Sequence, residues 1–299
     1  MPRIVSLLPS TTEWVNALGL MDDLVGVTFE CDAPADARAG RAVVVGGLDT
    51  SGLAPREIDA LVRAKVAAGE DLYTLDTAAM ARLRPDVVLT QDLCRVCALP
   101  AEAAREAVER AGCPGTVLTF DPHTLGEVLD GAVDVAGACG ARAAGTALRA
   151  RLQARLDTVA AALEGRDRPR VLVLEWTDPP FVAGHWVPDL VTAAGGEPVL
   201  ARAGERSVPA TWDDVRAAAA DADVVLVAPC GYDLDAACAQ SRDVAPQLGG
   251  TTTLAIDAGG FVTRPGPRVV DAVEALAAAL HPEAGLAGRP DVVRPVPAE

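Results

Sequence analysis

Residues 72–94 read LYTLDTAAMARLRPDVVLTQDLC, and residues 208–230 read VPATWDDVRAAAADADVVLVAPC. The two stretches have equal length and carry, in the same order, a helical segment, an Asp-Val-Val-Leu run and a loop ending in cysteine. A helix that feeds a short apolar, β-branched run is the local pattern of a βα unit, whose strand is covered on both faces. The echo is positional: it sets Cys94 and Cys230 at equivalent strand ends in two halves of the chain.

The same alternation extends outward in both directions. Strand-like runs occur at Ile4 to Leu8, Leu24 to Thr28, Ala42 to Val45, Val87 to Thr90 and Thr116 to Thr119, then at Val171 to Glu175, Val224 to Ala228 and Thr252 to Ile256. This predicts an α/β protein with two Rossmann-like lobes built on parallel sheets. From Thr124 to about Leu163 no strand signal intervenes, and Leu148, Leu152, Leu156, Val159 and Leu163 recur at helical spacing. One long bridging helix is therefore expected, with Asp121-Pro122 before it and Gly165 after it, and with Gly131, Gly137, Gly140 and Gly145 as points where it can bend. The domain reading is an N-terminal lobe over residues 1–123, a bridging helix over 124–165, a C-terminal lobe over 166–285 and a tail over 286–299, with a ligand cleft between the lobes.

A chain of 299 residues can bury a full core without disulfide or metal staples. Half of its residues are hydrophobic and 23% charged, which excludes a disordered or collagen-like chain. The net charge of −16 repels phosphate backbones and anionic lipid, and no Lys/Arg run offsets it, so no nucleic-acid or membrane-surface partner is expected. Pro9, Ser10, Thr11, Thr12 and Glu13 interrupt the first apolar run, unlike a secretory leader, and no uninterrupted apolar segment reaches the length of a membrane span. Seven cysteines, an odd number, fit reduced thiols. The expected location is the cytoplasm.

In open parallel sheets, ligands bind beyond the carboxyl ends of the strands, so the loops there hold the candidate residues. Trp176, Phe181 and Trp186 fall within eleven residues of a chain that has only ten aromatics, and Phe29, Tyr232 and Phe261 also follow strand-like runs. Each reads either as core or as part of a broad apolar ligand face. Cys94-Arg95-Val96-Cys97 reads as a redox pair, as half of a metal site, or as two small buried hydrophobes. Glu30, Cys31, Asp32, Glu175, His185 and Cys230 also lie in strand-end loops, so a Cys-rich zinc, iron or copper site between the lobes is one reading. Cys113, Cys139 and Cys238 read as ordinary buried thiols.

Of the three histidines, His281 is expected at the surface and His123 at the start of the long helix in a capping role. His185 sits among aromatics, where its imidazole either coordinates a metal, bonds an acidic group, or is satisfied by backbone. Ser10, Thr11, Thr12 and Glu13 read as an N-cap and helix start that would also offer hydroxyls and N–H groups to a ligand's polar rim. The chain has no GxSxG, P-loop, HExxH or strand-to-helix GxGxxG, so no catalytic residue is assigned and a binding protein rather than an enzyme is expected.

The opening IVSLLPSTTEWVNALGLMDDLVGVTFECDAP, together with RPDVVLTQDLCRVCAL, EWTDPPFVAGHWVPDLVTAAGG, DVVLVAPCGYDL and RPGPRVVDAVEALAAALHP, resembles the cobalamin-binding-type, helical-backbone substrate-binding proteins of metal-chelate ABC importers. The resemblance covers about residues 3 to 282. It implies two Rossmann-like lobes bridged by one long helix, with the ligand between them, and it implies that Pro9, Ser10 and Thr11 from the first loop, and Trp176, Phe181, His185 and Trp186 from the second lobe, face that ligand. The wider family binds corrinoids, haem and ferric siderophores. The Cys-bearing segments resemble a leaderless subgroup labelled cobalamin-binding, which puts delivery to an ABC permease in doubt and implies a cytosolic binder, carrier or sensor, with an ABC-importer-type binding protein as the alternative that the wider resemblance implies. Two functions are carried forward: binding of a cobalamin-like corrinoid or related metal chelate, with Phe29 and Tyr232 added to the ligand face and His185 as a cobalt ligand, and a metalloprotein or metalloenzyme in which Cys31, Cys94, Cys97 and Cys230, with His185, Glu30 or Glu175, bind Zn, Fe or Cu.

Overall fold

The structure is a computed structural model that describes residues 2–92, 101–110, 112 and 115–297. The chain divides into two compact units, Met1–Pro122 with Leu129–Ala150, and His123–Val128 with Arg151–Glu299. Each is an α/β unit.

The first unit begins with β1 (Ile4–Ser6), α1 (Pro9–Ala17), β2 (Leu24–Thr28), β3 (Ala42–Gly47), α2 (Pro55–Ala68), β4 (Tyr73–Leu75), α3 (Thr77–Leu83), β5 (Val87–Thr90), α4 (Ala101–Arg110) and β6 (Thr116–Thr119). Its sheet has the order β4-β3-β2-β1-β5-β6 and is parallel except at the β3–β4 edge pair. β5, Val-Val-Leu-Thr, is buried at every position, the pattern of a strand covered on both faces. Val5, Leu7, Val44, Val45 and Val88 of the sheet pack against Ala79 and Met80 of α3 and Ala104 and Val108 of α4.

The stretch expected as one bridging helix is two helices, α5 (Leu125–Ala138) and α6 (Arg142–Ala162). Gly140 takes φ +75° and Ala141 N–H reaches back to Ala136 O at 2.7 Å, the 6→1 bond of a Schellman stop that requires a left-handed residue. Thr124 and Glu127 form the start of α5: the Glu127 carboxylate accepts from Thr124 N–H at 3.1 Å, and Glu127 N–H donates to Thr124 Oγ1 at 3.2 Å. At Gly145 the helices approach so closely that a Cβ would lie 2.3 Å from Ala132 O and 2.5 Å from Ala136 Cβ.

The second unit continues with β7 (Arg170–Thr177), β8 (Pro180–Val182), β9 (Gly184–His185), α7 (Val187–Ala193), β10 (Glu197–Val199), β11 (Arg202–Ala203), β12 (Val208–Pro209), α8 (Trp212–Asp221), β13 (Val224–Val227), α9 (Leu234–Val244), β14 (Thr252–Ile256), α10 (Ala258–Phe261), α11 (Val269–Leu280) and β15 (Val293–Val296). Its main sheet runs β12-β8-β7-β13-β14-β15, with β10 also on β7; β7, β10, β13 and β14 are parallel, β8 is antiparallel to both of its neighbours β7 and β12, and β15 is antiparallel to β14. The residues expected as a tail thus return as an edge strand, with Val293 opposite Ile256. Leu172, Leu174, Val225 and Val227 form the core with Val215 and Ala219 of α8. Arg155 clamps α6 to α11, its Nε on Glu274 at 2.8 Å and its Nη2 on Asp271 at 2.5 Å.

Gly145→Ala is expected to lower unfolding stability by about 1–3 kcal/mol despite alanine's better helix propensity, because its Cβ meets fixed backbone. Gly137→Ala, where only the flexible guanidinium end of Arg142 lies at 3.0 Å, is expected to be neutral or stabilising. Urea midpoints of the two variants check the contrast.

Candidate ligand site

The candidate residues of the first unit follow β1 and β2. Pro9 lacks an N–H and takes the first helical position of α1, so Leu8 is the N-cap, rather than Ser10 as the sequence suggests. The hydroxyls so released form an internal network. Thr12 Oγ1 donates to Ser6 Oγ at 2.8 Å, and Ser6 Oγ in turn donates to Leu8 O at 2.8 Å. Thr11 Oγ1 lies 2.6 Å from Ser6 Oγ and 3.1 Å from Leu8 O. Cys31 Sγ lies 3.1 Å from Thr12 Oγ1 and 3.3 Å from Thr28 Oγ1, and the residue is 1% exposed. Because Thr12 spends its proton on Ser6, the thiol is the donor toward Thr12. Ser10 Oγ is buried with no hydrogen-bond partner among the described residues. Phe29 is half-buried and lies against Gly47, where a Cβ would come within 2.7 Å of its ring. Glu30 is also half-buried, and its N–H donates to Thr28 Oγ1 at 3.1 Å.

In the second unit, parallel pairing brings the ends of β7, β13 and β14 side by side. Cys230 N–H donates to Glu175 O at 2.9 Å and Gly259 N–H to Tyr232 O at 2.8 Å, so the segment after β13 is linked by backbone to β7 on one side and to the segment after β14 on the other. Trp176 and Phe181 are direct cross-strand partners on β7 and β8, and the Trp176 ring lies 5.6 Å from that of Tyr232. All three are half-buried. Tyr232 Oη is buried with no hydrogen-bond partner among the described residues, and burial raises the phenol's pKa. Trp186 differs: it is 5% exposed and its indole N–H donates to Val262 O at 2.8 Å, so it forms part of the lobe's interior. Cys230 is exposed, whereas Cys139 and Cys238 are buried as expected.

Glu175 organises the next layer. Its Oε1 accepts from Gly184 N–H at 3.0 Å and its Oε2 accepts from Ser207 Oγ. Burial pushes the carboxyl up to about 7, against the downward pull of both hydrogen bonds. Gly184 has no room for a side chain, since a Cβ would lie 2.3 Å from Ser207 N. His185 follows at φ +48°. Its ring is 5.8 Å from Trp186 and 5.9 Å from His123, and its Nε2 is buried without a hydrogen-bond partner among the described residues. Burial first, then His123 and Arg206, lower its pKa, so the ring is neutral at neutral pH.

His123 was expected only at a helix start, and Gly204, Ser207 and Asp257 were not singled out. His123 Nδ1 lies 3.0 Å from Gly204 O, and Gly204 N–H donates to His185 O at 3.0 Å. Asp257 caps α10 through Gly260 N–H at 2.7 Å, and Arg268 lies 4.9 Å over the Phe261 ring. His281, expected at the surface, is 4% exposed with Nε2 3.3 Å from Gly195 O. It lines a cavity of about 580 Å³ with Leu163, Arg166, Arg168 and Thr192, beside the start of β7 and away from the strand-end loops. Cys94, Cys97 and Cys113 lie outside the described residues. Among the described residues no group of three His, Cys, Asp or Glu side chains is placed to hold a metal ion, and no helix is long and apolar enough to cross a membrane.

Residues 4–247 match a family described as periplasmic binding protein. A comparison with curated proteins gives no match. Among solved structures, a periplasmic heme-binding protein from Pseudomonas aeruginosa superposes with a TM-score of 0.72 at 24% identity, over 100% of this chain and 99% of that one. The periplasmic vitamin B12 binding protein BtuF of Vibrio cholerae gives 0.67 at 21% identity, over 95% and 97%. The heme-binding protein BhuT, in complex with two hemes, gives 0.66 at 27% identity, over 95% and 99%. At these identities the P. aeruginosa and V. cholerae likenesses establish the shared two-lobed fold.

Glu175 ionises more readily in the unfolded chain, at its ordinary 4.5, than in the folded one, at about 7. Folding stability contributed by this group is therefore complete below pH 4.5 and is lost as pH rises through 7, a loss of about 3 kcal/mol. Glu175→Gln keeps an acceptor for Gly184 and cannot ionise. Unfolding free energies measured from pH 4 to pH 8 should show the variant gaining on the parent across that window, and parallel curves would rule the buried carboxyl out as the cause.

Proposed function

Because the chain belongs to the periplasmic-binding-protein family, whose match spans residues 4–247, we propose that it binds a cobalamin-like corrinoid or a related metal chelate and catalyses no reaction on it. The observation that carries this reading is the arrangement at the carboxyl ends of β7, β13 and β14. Trp176, Phe181 and Tyr232 offer half-buried aromatic surface, and His185 offers a neutral imidazole whose Nε2 has no partner among the described residues. A flat macrocycle needs apolar area for its faces and a nitrogen donor for its metal. His185 is the donor this reading assigns to the axial position, because imidazole suits cobalt and iron alike. The phenol of Tyr232, which has no hydrogen-bond partner among the described residues, would meet the polar rim.

Haem is the second reading. It is favoured by the neighbour of 27% identity, whose structure holds two hemes. Parallel titrations of reduced, metal-depleted protein with hydroxocobalamin and with hemin separate the two, followed by gel filtration to see which colour travels with the chain. The corrinoid reading expects saturable one-to-one retention of hydroxocobalamin with a shifted absorption spectrum. His185→Asn should abolish that shift and weaken retention about tenfold, since asparagine tolerates the left-handed backbone but is no comparable metal ligand. A spectrum unchanged in the variant rejects axial ligation by His185, and retention of hemin alone transfers the reading to haem.

A further inference from the structure

His185 and His123 together have features that a chelate-binding loop does not need. The left-handed backbone at His185, φ +48°, is uncommon outside glycine, and here it carries an imidazole whose Nε2 is buried and unbonded among the described residues. The second imidazole, His123, has its ring centroid 5.9 Å away at an interplanar angle of 49°. With Gly204 O as acceptor at 3.0 Å, His123 Nδ1 carries a proton, so in the neutral ring the lone pair is on Nε2. A carbonyl holding the far nitrogen of a histidine is the usual support of a metal ligand, since it fixes both tautomer and ring orientation. The same Gly204 donates to His185 O at 3.0 Å, so one residue ties the backbone of one histidine to the ring of the other.

We propose that His123 and His185 form a two-imidazole site for a borderline divalent cation such as Zn²⁺, with the remaining coordination positions open to water or to a donor that the cation brings with it. Two imidazoles that share one ion at nitrogen–metal distances of 2.0–2.1 Å and a tetrahedral angle have centroids about 5 Å apart, so the observed spacing requires closure of about 1 Å. His123 is exposed, which leaves a path for the ion. Imidazole donors favour zinc, copper and nickel over magnesium or calcium. Both histidines must be neutral to bind, and the desolvated, charge-flanked ring of His185 is already in that form at neutral pH. A planar chelate offers at most one axial position on each face, so two neighbouring imidazoles on one side are better matched to an ion with adjacent open positions. The cation would take the same His185 Nε2 that the chelate reading assigns to its metal, so the two occupants exclude each other and His123 alone separates the two readings.

With only three histidines in the chain, histidine-selective ¹⁵N NMR reads the site directly and is blind to the thiols. Zn²⁺ is added to the reduced, untagged protein while the imidazole nitrogens are followed. The expected result is that the Nε2 signals of His123 and His185 move together along one isotherm while those of His281 stay in place. His123→Gln should weaken the response at His185 at least about tenfold, and His185→Asn should remove the response at His123. His123→Gln should leave hydroxocobalamin retention as in the parent, so failure of the cation site and failure of the chelate reading are seen separately. Zinc uptake that moves no imidazole signal, or a His185 response that is the same in His123→Gln, overturns the proposal.

Discussion

The carboxyl group of Glu175 lies near the end of β7, where the strand turns back into β8, and it must find donors away from water. It takes Gly184 N–H with one oxygen and the Ser207 hydroxyl with the other, and burial keeps its proton on until about pH 7. These two bonds tie β9 to the loop that precedes β12. Gly184 is obligatory at the join, because the backbone of Ser207 fills the space a Cβ would need. The chain then enters His185 in a left-handed conformation, with Gly204 N–H on its carbonyl. The position of the imidazole thus descends, bond by bond, from one buried acid.

Around that acid, the parallel sheet places the rest. Strands β7, β13 and β14 run side by side in one direction, so their loops leave from one edge and reach one another through backbone hydrogen bonds. Aromatic side chains on those loops divide by their burial. Trp186, with its N–H on Val262 O, is enclosed, whereas Trp176, with its N–H on Asp178 O at 3.1 Å, Phe181 and Tyr232 remain half-buried, and the Tyr232 phenol has no partner among the described residues. An aromatic pair such as Trp176 and Tyr232 contributes about 0.5–1.5 kcal/mol beyond the area it buries, enough to hold the two loops in register. The loop after β14 has its own anchor in Arg268 over Phe261 and in the Asp257 cap.

In the first unit, proline at the first helical position shifts the N-cap to Leu8 and turns Ser6, Thr11 and Thr12 inward. Cys31 takes its place in that network as a donor of a weak hydrogen bond, closed in by two threonines. A thiol held this way has hydroxyl neighbours rather than further metal ligands among the described residues. The feature that made Cys31 conspicuous in the sequence, a cysteine three residues past a strand, says nothing about which groups will surround it.

Much of the fold was legible in the amino-acid order. Every β-branched run singled out contains a strand, because short β-branched runs that alternate with helical stretches are the pattern of βα units. Trp176, Phe181 and Tyr232 were legible as strand-end aromatics for the same reason: the strands announce where they end. The break between α5 and α6 was signalled by four glycines, but which of them would turn left-handed depended on helix packing, as Gly145 against Ala132 shows. Edge strand β15 was hidden because an antiparallel edge needs no apolar run of its own, only a free ladder on β14. His123 and Gly204 were hidden too, since a sequence separation of 81 positions carries no periodicity that predicts one hydrogen bond. Sequence by itself thus determined the strands, their alternation with helices and the loops in which function resides, all consequences of local burial pattern. Only the tertiary structure decided which polar atoms find partners and which, like His185 Nε2, have none among the described residues, because that depends on distances between residues far apart in the chain.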